Sequence, residues 1–473
     1  MSRRSLSLYA VFAGAFLVYF LWFTADGLNS WFSDDDILNI HYYWSRPWST
    51  LVKANLVFFS GSPRPLGGLY DMGIFAIWGL HPLPYRVGAL ALVLANLLLL
   101  FLIVRELSDS IEAALLSLFL TGMNESFVSI YYDTGMIYDT LAFSFYFGML
   151  LWYVRIRKRG EAIGIPRTIA LLALYACALN GKEIAVSLPV ALLIFEILWN
   201  PPSRFRFDGM LRWIAGPARI VWLTGLMTVA YLVGLVNGPD SVAHVGAYQP
   251  HPSWHLYLQT SADYLRQLTL NVVRPKPSGM AGILLGTLVV AAVFRRKHLI
   301  FASLMAMVAI LPLAFIPVRG GFAFYIPSLF WSLWFAGSLV AVREALMHLC
   351  RANNVAEVCT KSALLVALAA YSVTLNARAF HYVLPIVHDV QNRNRVYNDE
   401  LHRALPSVAP GTAILIENDP SSFPWMIPFL TQLSYNDHTL DVQPLPVVQA
   451  SGGDVSKFPV RLDLSSGHIY AIK

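Results

Sequence analysis

The stretch RTIALLALYACALNGKEIAVSLPVALLIFEILWNPPSRFR, residues 167–206, decides how this chain is folded. Read as one helix, it would bury Lys182 and Glu183 at mid-membrane depth, where each charge costs about 2.5–3.5 kcal/mol on insertion scales. It would also put the basic clusters RIRKR (155–159) and RFRFDGMLR (204–212) on opposite sides of the bilayer. Two short helices meeting at NGKE (180–183) avoid both problems and keep the two basic clusters on one side. The hairpin is therefore the expectation, with Lys182 and Glu183 at its external apex.

The same two rules, about 20 apolar residues per spanning helix and basic loops on the cytoplasmic side, organise the rest. The chain has 473 residues, 56% of them hydrophobic and only 13% charged, far more apolar than a soluble domain. A net charge of +6 sits in short clusters between apolar runs rather than on one long basic face, so nucleic acid is not an expected partner. Cys177, Cys350 and Cys359 have no metal-ligand spacing. The first apolar run follows Arg3 and Arg4, is too long for a signal peptide and lacks a small-residue cleavage site.

Spans are expected near 6–24 and 84–104, on both sides of NESFVSIYYDTGMIYD (124–139), in the hairpin, near 219–237, between Lys276 and the basic RRKH (295–298), and near 299–318, 322–342 and 361–376. The fold class is thus all-α and polytopic, with about eleven transmembrane helices over residues 1–376. Residues 377–473 turn polar, with the strand-like TAILIEN (412–418) and the turn-rich SGGD (451–454), and read as a small external α/β domain. Within the external loop 25–83, Leu66, Leu69, Tyr70, Ile74, Ile77 and Trp78 recur at helical spacing with Asp71 off the stripe, which predicts an amphipathic helix on the membrane surface. No fixed-period repeat is visible.

Charge gathers on the external side of this topology. Asp34, Asp35 and Asp36 follow the first span, and adjacent carboxylates repel, which raises the pKa of at least one and suits a general base or a metal site; a solvated acidic loop is the plain alternative. Asp133 and Asp139 are spaced so that each stands alone, Asp139 as a helix cap or a sugar contact. Lys182 with Glu183 is an apical ion pair or an anchor for a lipid phosphate. Arg319, in the tight turn VRGGF (318–322) between two apolar runs, breaks the charge rule and calls for an anion. His244, His251 and His255 match no zinc spacing and read as loop histidines.

In order along roughly residues 1–340, four pieces resemble the C-type (GT-C) membrane glycosyltransferases, the group with protein O-mannosyltransferases and lipid A aminoarabinose transferases. They are FSDDDI (32–37), RPLGGLYDMGIFAIWGLHPLPYRVGALAL (64–92), NGKEIAVSLPVALLIFE (180–196) and VRGGFAFYIPSL (318–329). The resemblance implies a bacterial inner-membrane enzyme with its site on the periplasmic face. Such an enzyme moves a sugar, with inversion, from a polyprenyl-phosphate donor to a hydroxyl of a glycolipid, polysaccharide or protein. The family's FxxDD spacing makes Asp35 or Asp36 the base and leaves Asp34 as an extra acid. Lys182, Arg319 and Arg64 would hold the donor phosphate, with Arg274 and Lys276 behind them. Asp34, Asp139, Glu183 and Tyr325 would contact substrate. Some relatives carry a divalent metal at the acidic pair and others do not, so Mg or Mn at Asp35 and Asp36 stays open. The chain departs from its eukaryotic relatives in lacking tetratricopeptide repeats and in its terminal domain. A secondary transporter, or a noncatalytic scaffold presenting that domain, is the rival class; a transporter would show buried mid-membrane acids and paired broken helices.

Overall fold

The computed structural model describes residues 3–58, 64–202, 207–216, 218–237, 246, 249–351, 354–419, 421, 423–464 and 469–472. Part of the basic cluster 204–212, and His244, lie outside them. The helices, in chain order, are α1 Arg3–Thr24, α2 Asp34–Trp44, α3 Trp48–Leu56, α4 Pro65–Trp78, α5 Pro82–Ser108, α6 Ile111–Thr121, α7 Val128–Tyr132, α8 Ile137–Lys158, α9 Ile165–Gly181 and α10 Leu188–Trp199. They continue as α11 Phe207–Ala215, α12 Arg219–Asn237, α13 Trp254–Leu268, α14 Pro277–Phe294, α15 Lys297–Val308, α16 Leu311–Ala314, α17 Tyr325–Leu349, α18 Asn354–Ala404, α19 Met426–Ser434 and α20 Leu445–Ala450.

Among the described residues, eight helices are long and apolar enough to cross a membrane, and α6 with the Glu125–Tyr132 segment makes a ninth if that pair, bent by 64°, is one span. The chain is an integral membrane protein. The expected hairpin is present as two helices broken at Lys182, α9 of 17 residues and α10 of 12, both shorter than the eight. The eleven expected crossings therefore exceed what length and composition alone support. The bundle is built around α8: 78% of its most apolar window is buried, against 17% for α12, which presents an almost continuous apolar surface such as lipid would cover.

Two elements differ from the sequence reading. Helix α4 forms, but its buried face is Gly67, Gly68, Asp71, Met72 and Phe75, while Ile77 and Trp78 are exposed. The apolar stripe had put Asp71 outside. It turns inward because the Tyr138 hydroxyl donates to its Oδ2 at 3.1 Å, while the two glycines let Tyr138 and Tyr43 pack directly on the helix backbone. Helix α18 runs unbroken for 51 residues, past residue 376 and through Pro385, so the polar region begins as more of the same helix. Beyond it lie β1 Ala413–Glu417, β2 Asp441–Pro444, β3 Val460–Asp463 and β4 Tyr470–Ile472, ordered β2-β1-β3-β4. β1 is parallel to β2 and to β3, and β4 is antiparallel to β3.

This small sheet shares its core with the membrane part. Ile414, Ile427 and Leu430 belong to one apolar cluster with Phe32, Ile37 and Ile40. The His41 ring lies flat on Phe429, centroids 3.7 Å apart, and its Nε2 is 2.6 Å from Gln432 Oε1. The terminal unit is thus packed on α2, the helix that carries the three aspartates.

Candidate active site

Helix α2 opens with a capping box. Ser33 Oγ accepts the Asp36 amide at 3.2 Å, and Asp36 Oδ2 accepts the Ser33 amide at 2.9 Å. Asp34, Asp35 and Asp36 therefore form the first helical turn, where backbone N–H groups and the helix dipole favour negative charge. Successive side chains on a helix point about 100° apart, so the three carboxylates face three different surroundings.

Asp34 faces α18, where Arg393 Nη2 reaches both its oxygens at 3.1 and 3.2 Å and Asn394 Nδ2 donates at 2.8 Å. Asp36 faces the bundle and is buried: Oδ1 accepts the Thr134 hydroxyl at 2.6 Å, and Oδ2 pairs with Arg86 at 3.2 Å. Arg86, also buried, donates as well to the carbonyls of Ser30, Trp31 and Tyr132, so it ties three segments together. Asp35 lies between these two anchored groups. It is exposed, and among the described residues its carboxyl accepts no hydrogen bond. Surrounding protein pushes its pKa above the usual carboxylate value, Asp36 and Asp34 push it further, and Lys182 pulls the other way.

The cationic side comes from the hairpin apex. Gly181 presses on α8 so closely that an added Cβ would lie 2.9 Å from the Ala142 nitrogen, which fixes glycine there. Lys182, extended at the break, meets Asp139 Oδ2 at 2.5 Å and lies 5.1 Å from the Phe322 ring centroid. Burial pushes the Lys182 ammonium pKa down, and Asp139 opposes that. Arg64, left-handed at φ 50°, caps α4 and forks onto Glu183 at 2.9 and 3.0 Å. Burial alone would raise the Glu183 carboxyl, but the Arg64 guanidinium more than offsets it.

Arg319 sits beside this cluster. Its turn includes Gly321, whose Cβ would strike the Ser126 carbonyl oxygen at 2.2 Å, and Phe322, over which Lys182 lies. The charges of Arg319 and Asp139 both act on the Tyr264 hydroxyl, which accepts the Arg319 amide at 3.3 Å. Asp34, Asp35, Asp36, Arg64, Asp139, Lys182, Glu183 and Arg319 thus come from five stretches to one end of the bundle. Tyr325 does not join them: it is buried in the apolar core, stacked on Phe143 with centroids 4.3 Å apart. Arg274 is exposed and folds back on the Asn271 carbonyl, and Lys276 is exposed at the start of α14.

Sequence reasoning missed Arg86, Arg393, Asn394 and Asp71. Arg86 carried a readable signal, a cation inside the long apolar run 82–104. The other three become informative only once α18 and α4 are packed. Among the described residues no group of three His, Cys, Asp or Glu is placed to hold a metal ion, and both Asp36 oxygens accept protein donors.

Fold and site together define an integral membrane protein with a cluster of charged side chains at one end of its helix bundle, beside a small α/β unit packed on α2. No protein-family model matches the chain, and no curated protein does. Among solved structures, the crystal structure of ArnT from Cupriavidus metallidurans bound to undecaprenyl phosphate is similar over 97% of this chain and 90% of that one, at 12% identity and a TM-score of 0.48.

Proposed function

We propose that the chain is a GT-C-type glycosyltransferase that moves a sugar from a polyprenyl-phosphate donor to an acceptor hydroxyl, with Asp35 as general base. The observation that carries this reading is the contrast within one helical turn. Asp34 and Asp36 are held by Arg393 and Arg86, whereas Asp35 is exposed, with Lys182 opposing its raised pKa. The ordered sequence motifs supply the reaction class.

In this reaction Asp35 takes the proton of the acceptor hydroxyl as its oxygen attacks the anomeric carbon. The bond from that carbon to the phosphate oxygen breaks on the opposite face, so configuration inverts. The phosphate leaves with its lipid, and its charge is met by Lys182 and Arg319, with Arg64 held ready by Glu183. A carboxylate whose pKa is raised toward the working pH is the stronger base. The site would face outward, because the basic clusters mark the other side; a bacterial inner membrane with that face periplasmic is what the sequence resemblance implies. Comparing lipid-linked and transferred glycans of cells with and without the gene tests the reading. It predicts a sugar lost from an acceptor while its polyprenyl-phosphate form accumulates; an unchanged profile of both overturns it.

A further inference from the structure

A cavity apart from the charged cluster lies between α1 and α18. It is a groove of about 540 Å³ walled by Tyr19, Trp22, Phe23, Phe380 and Leu384, with Tyr132 at its back. That size falls within the range of small-molecule pockets. Two observations say what it faces. Ala377, in its wall, is the last residue of the apolar span Val355–Ala377, and Trp22 lies near the end of the span Leu6–Asn29, so the groove opens where both spans end. Trp22 is 72% exposed, and Tyr382 and Ile386 further along α18 are 75% and 68% exposed, an apolar surface that belongs against lipid. Pro385, inside the helix, interrupts the backbone hydrogen bonding beside the groove. Its polar rim is the pair of His388 Nε2 and Asp26 Oδ2, 2.9 Å apart, with exposed His381 nearby.

The groove backs onto the acidic turn. The Tyr132 carbonyl at its rear accepts Arg86 at 2.9 Å, and the next residue, Asp133, accepts the hydroxyl of the α2 cap Ser33 at 2.9 Å. The groove belongs to α1, α7 and α18. Lys182, Glu183 and Arg64 belong to the hairpin apex and α4, so the cationic cluster and the groove reach α2 from different elements.

Resting on the transferase reading, we infer that the acceptor is itself a membrane lipid, and that one of its hydrocarbon chains lies in the Trp22–Phe380 groove with its polar head at Asp26 and His388. A donor phosphate at Lys182 and an acceptor chain in the groove then reach Asp35 from separate sides, which a single nucleophilic attack requires.

The test uses the full-length chain in phosphatidylcholine vesicles doped with a phosphatidylethanolamine carrying a diazirine in one acyl chain. Photolabelling is expected at Trp22, Phe380 and Leu384. Ala377→Trp, which fills the groove, should cut it about tenfold, the loss of roughly two buried methylene groups. Glycolipid extracted from the native membrane should compete, and polyprenyl phosphate should not. Labelling spread evenly over lipid-facing positions such as Val229 and Val289, or competition by polyprenyl phosphate alone, overturns the inference. Because labelling needs no turnover, Asp35→Asn should leave it intact, so failure of the transferase reading and failure of the groove are told apart.

Discussion

The two ends of the bundle treat charge differently. At one end, Arg157 forks onto Glu196 at 2.7 and 3.0 Å and Arg343 onto Glu112 at 2.9 and 2.8 Å, so each of these two buried carboxylates is closed by a guanidinium. At the other end, Arg86 closes Asp36 and Arg393 closes Asp34 in the same way, yet Asp35 between them is left exposed. Ion pairing accounts for Glu196 and Glu112 at the first end and for Asp34 and Asp36 in the acidic turn, but not for Asp35. The leftover carboxylate separates a scaffold from a site.

That contrast breaks most visibly at Arg86. Arg86→Ala leaves Asp36 buried without its cation and frees three backbone carbonyls, a loss on the order of 3–5 kcal/mol, and should abolish the folded protein in a detergent thermal-shift assay. The next effect is smaller and falls on the charged cluster. Lys182→Met should raise KM for the polyprenyl-phosphate sugar by roughly 10- to 100-fold, as expected for one charged hydrogen bond. Pairing it with Asp139→Asn, which removes the stranded acid, should recover folding but not KM.

Smaller still are two pH effects. Asp35 has a pKa raised from 3.8, chiefly by burial, so its base form is lost at a higher pH than an ordinary aspartate's; turnover should climb with pH through that raised value, and a profile that levels off at the ordinary aspartate value would argue for another base. His41 is pushed below 6.5 by burial against the terminal unit, with its Gln432 contact opposing. Its folded pKa lies below the unfolded one, so the unfolded state gains protons first and docking weakens as pH falls from about 6.5. Faster proteolysis of residues 413–464 near pH 5.5 than at pH 7.5 would show it. The smallest effect is at the exposed cations: Arg274→Ala should change neither stability nor turnover, within about 0.5 kcal/mol.

Much of the arrangement was legible in residues 167–206 because the cost of burying Lys182 and Glu183 leaves few alternatives, and the structure breaks the helix at Lys182. The acidic turn was legible as a cluster, but not its division of labour. That division is set by Arg86, Arg393 and Asn394, up to 360 residues from Asp34 in the chain, and no local pattern encodes such pairings. The same cause hid the nature of the stretch after residue 376. Gln391 and Asn394 look like a solvated tail, yet both are buried against α2 and the Tyr132 carbonyl. In α4, a periodicity count weighed apolar side chains and ignored that two glycines make the closest packing face. Tyr325 was assigned to substrate by motif, while its aromatic neighbours draw it into the core.

The most direct test of the central claim compares Asp35→Asn with Asp36→Asn in the purified full-length chain, reading sugar transfer and thermal unfolding together. Asp35→Asn should lose about 10²- to 10⁴-fold in transfer while unfolding at the same or a higher temperature, since a carboxyl raised by burial is removed. Asp36→Asn should lower the unfolding temperature because it weakens the Arg86 pair. Transfer retained in Asp35→Asn, or lost only together with stability, would contradict the account.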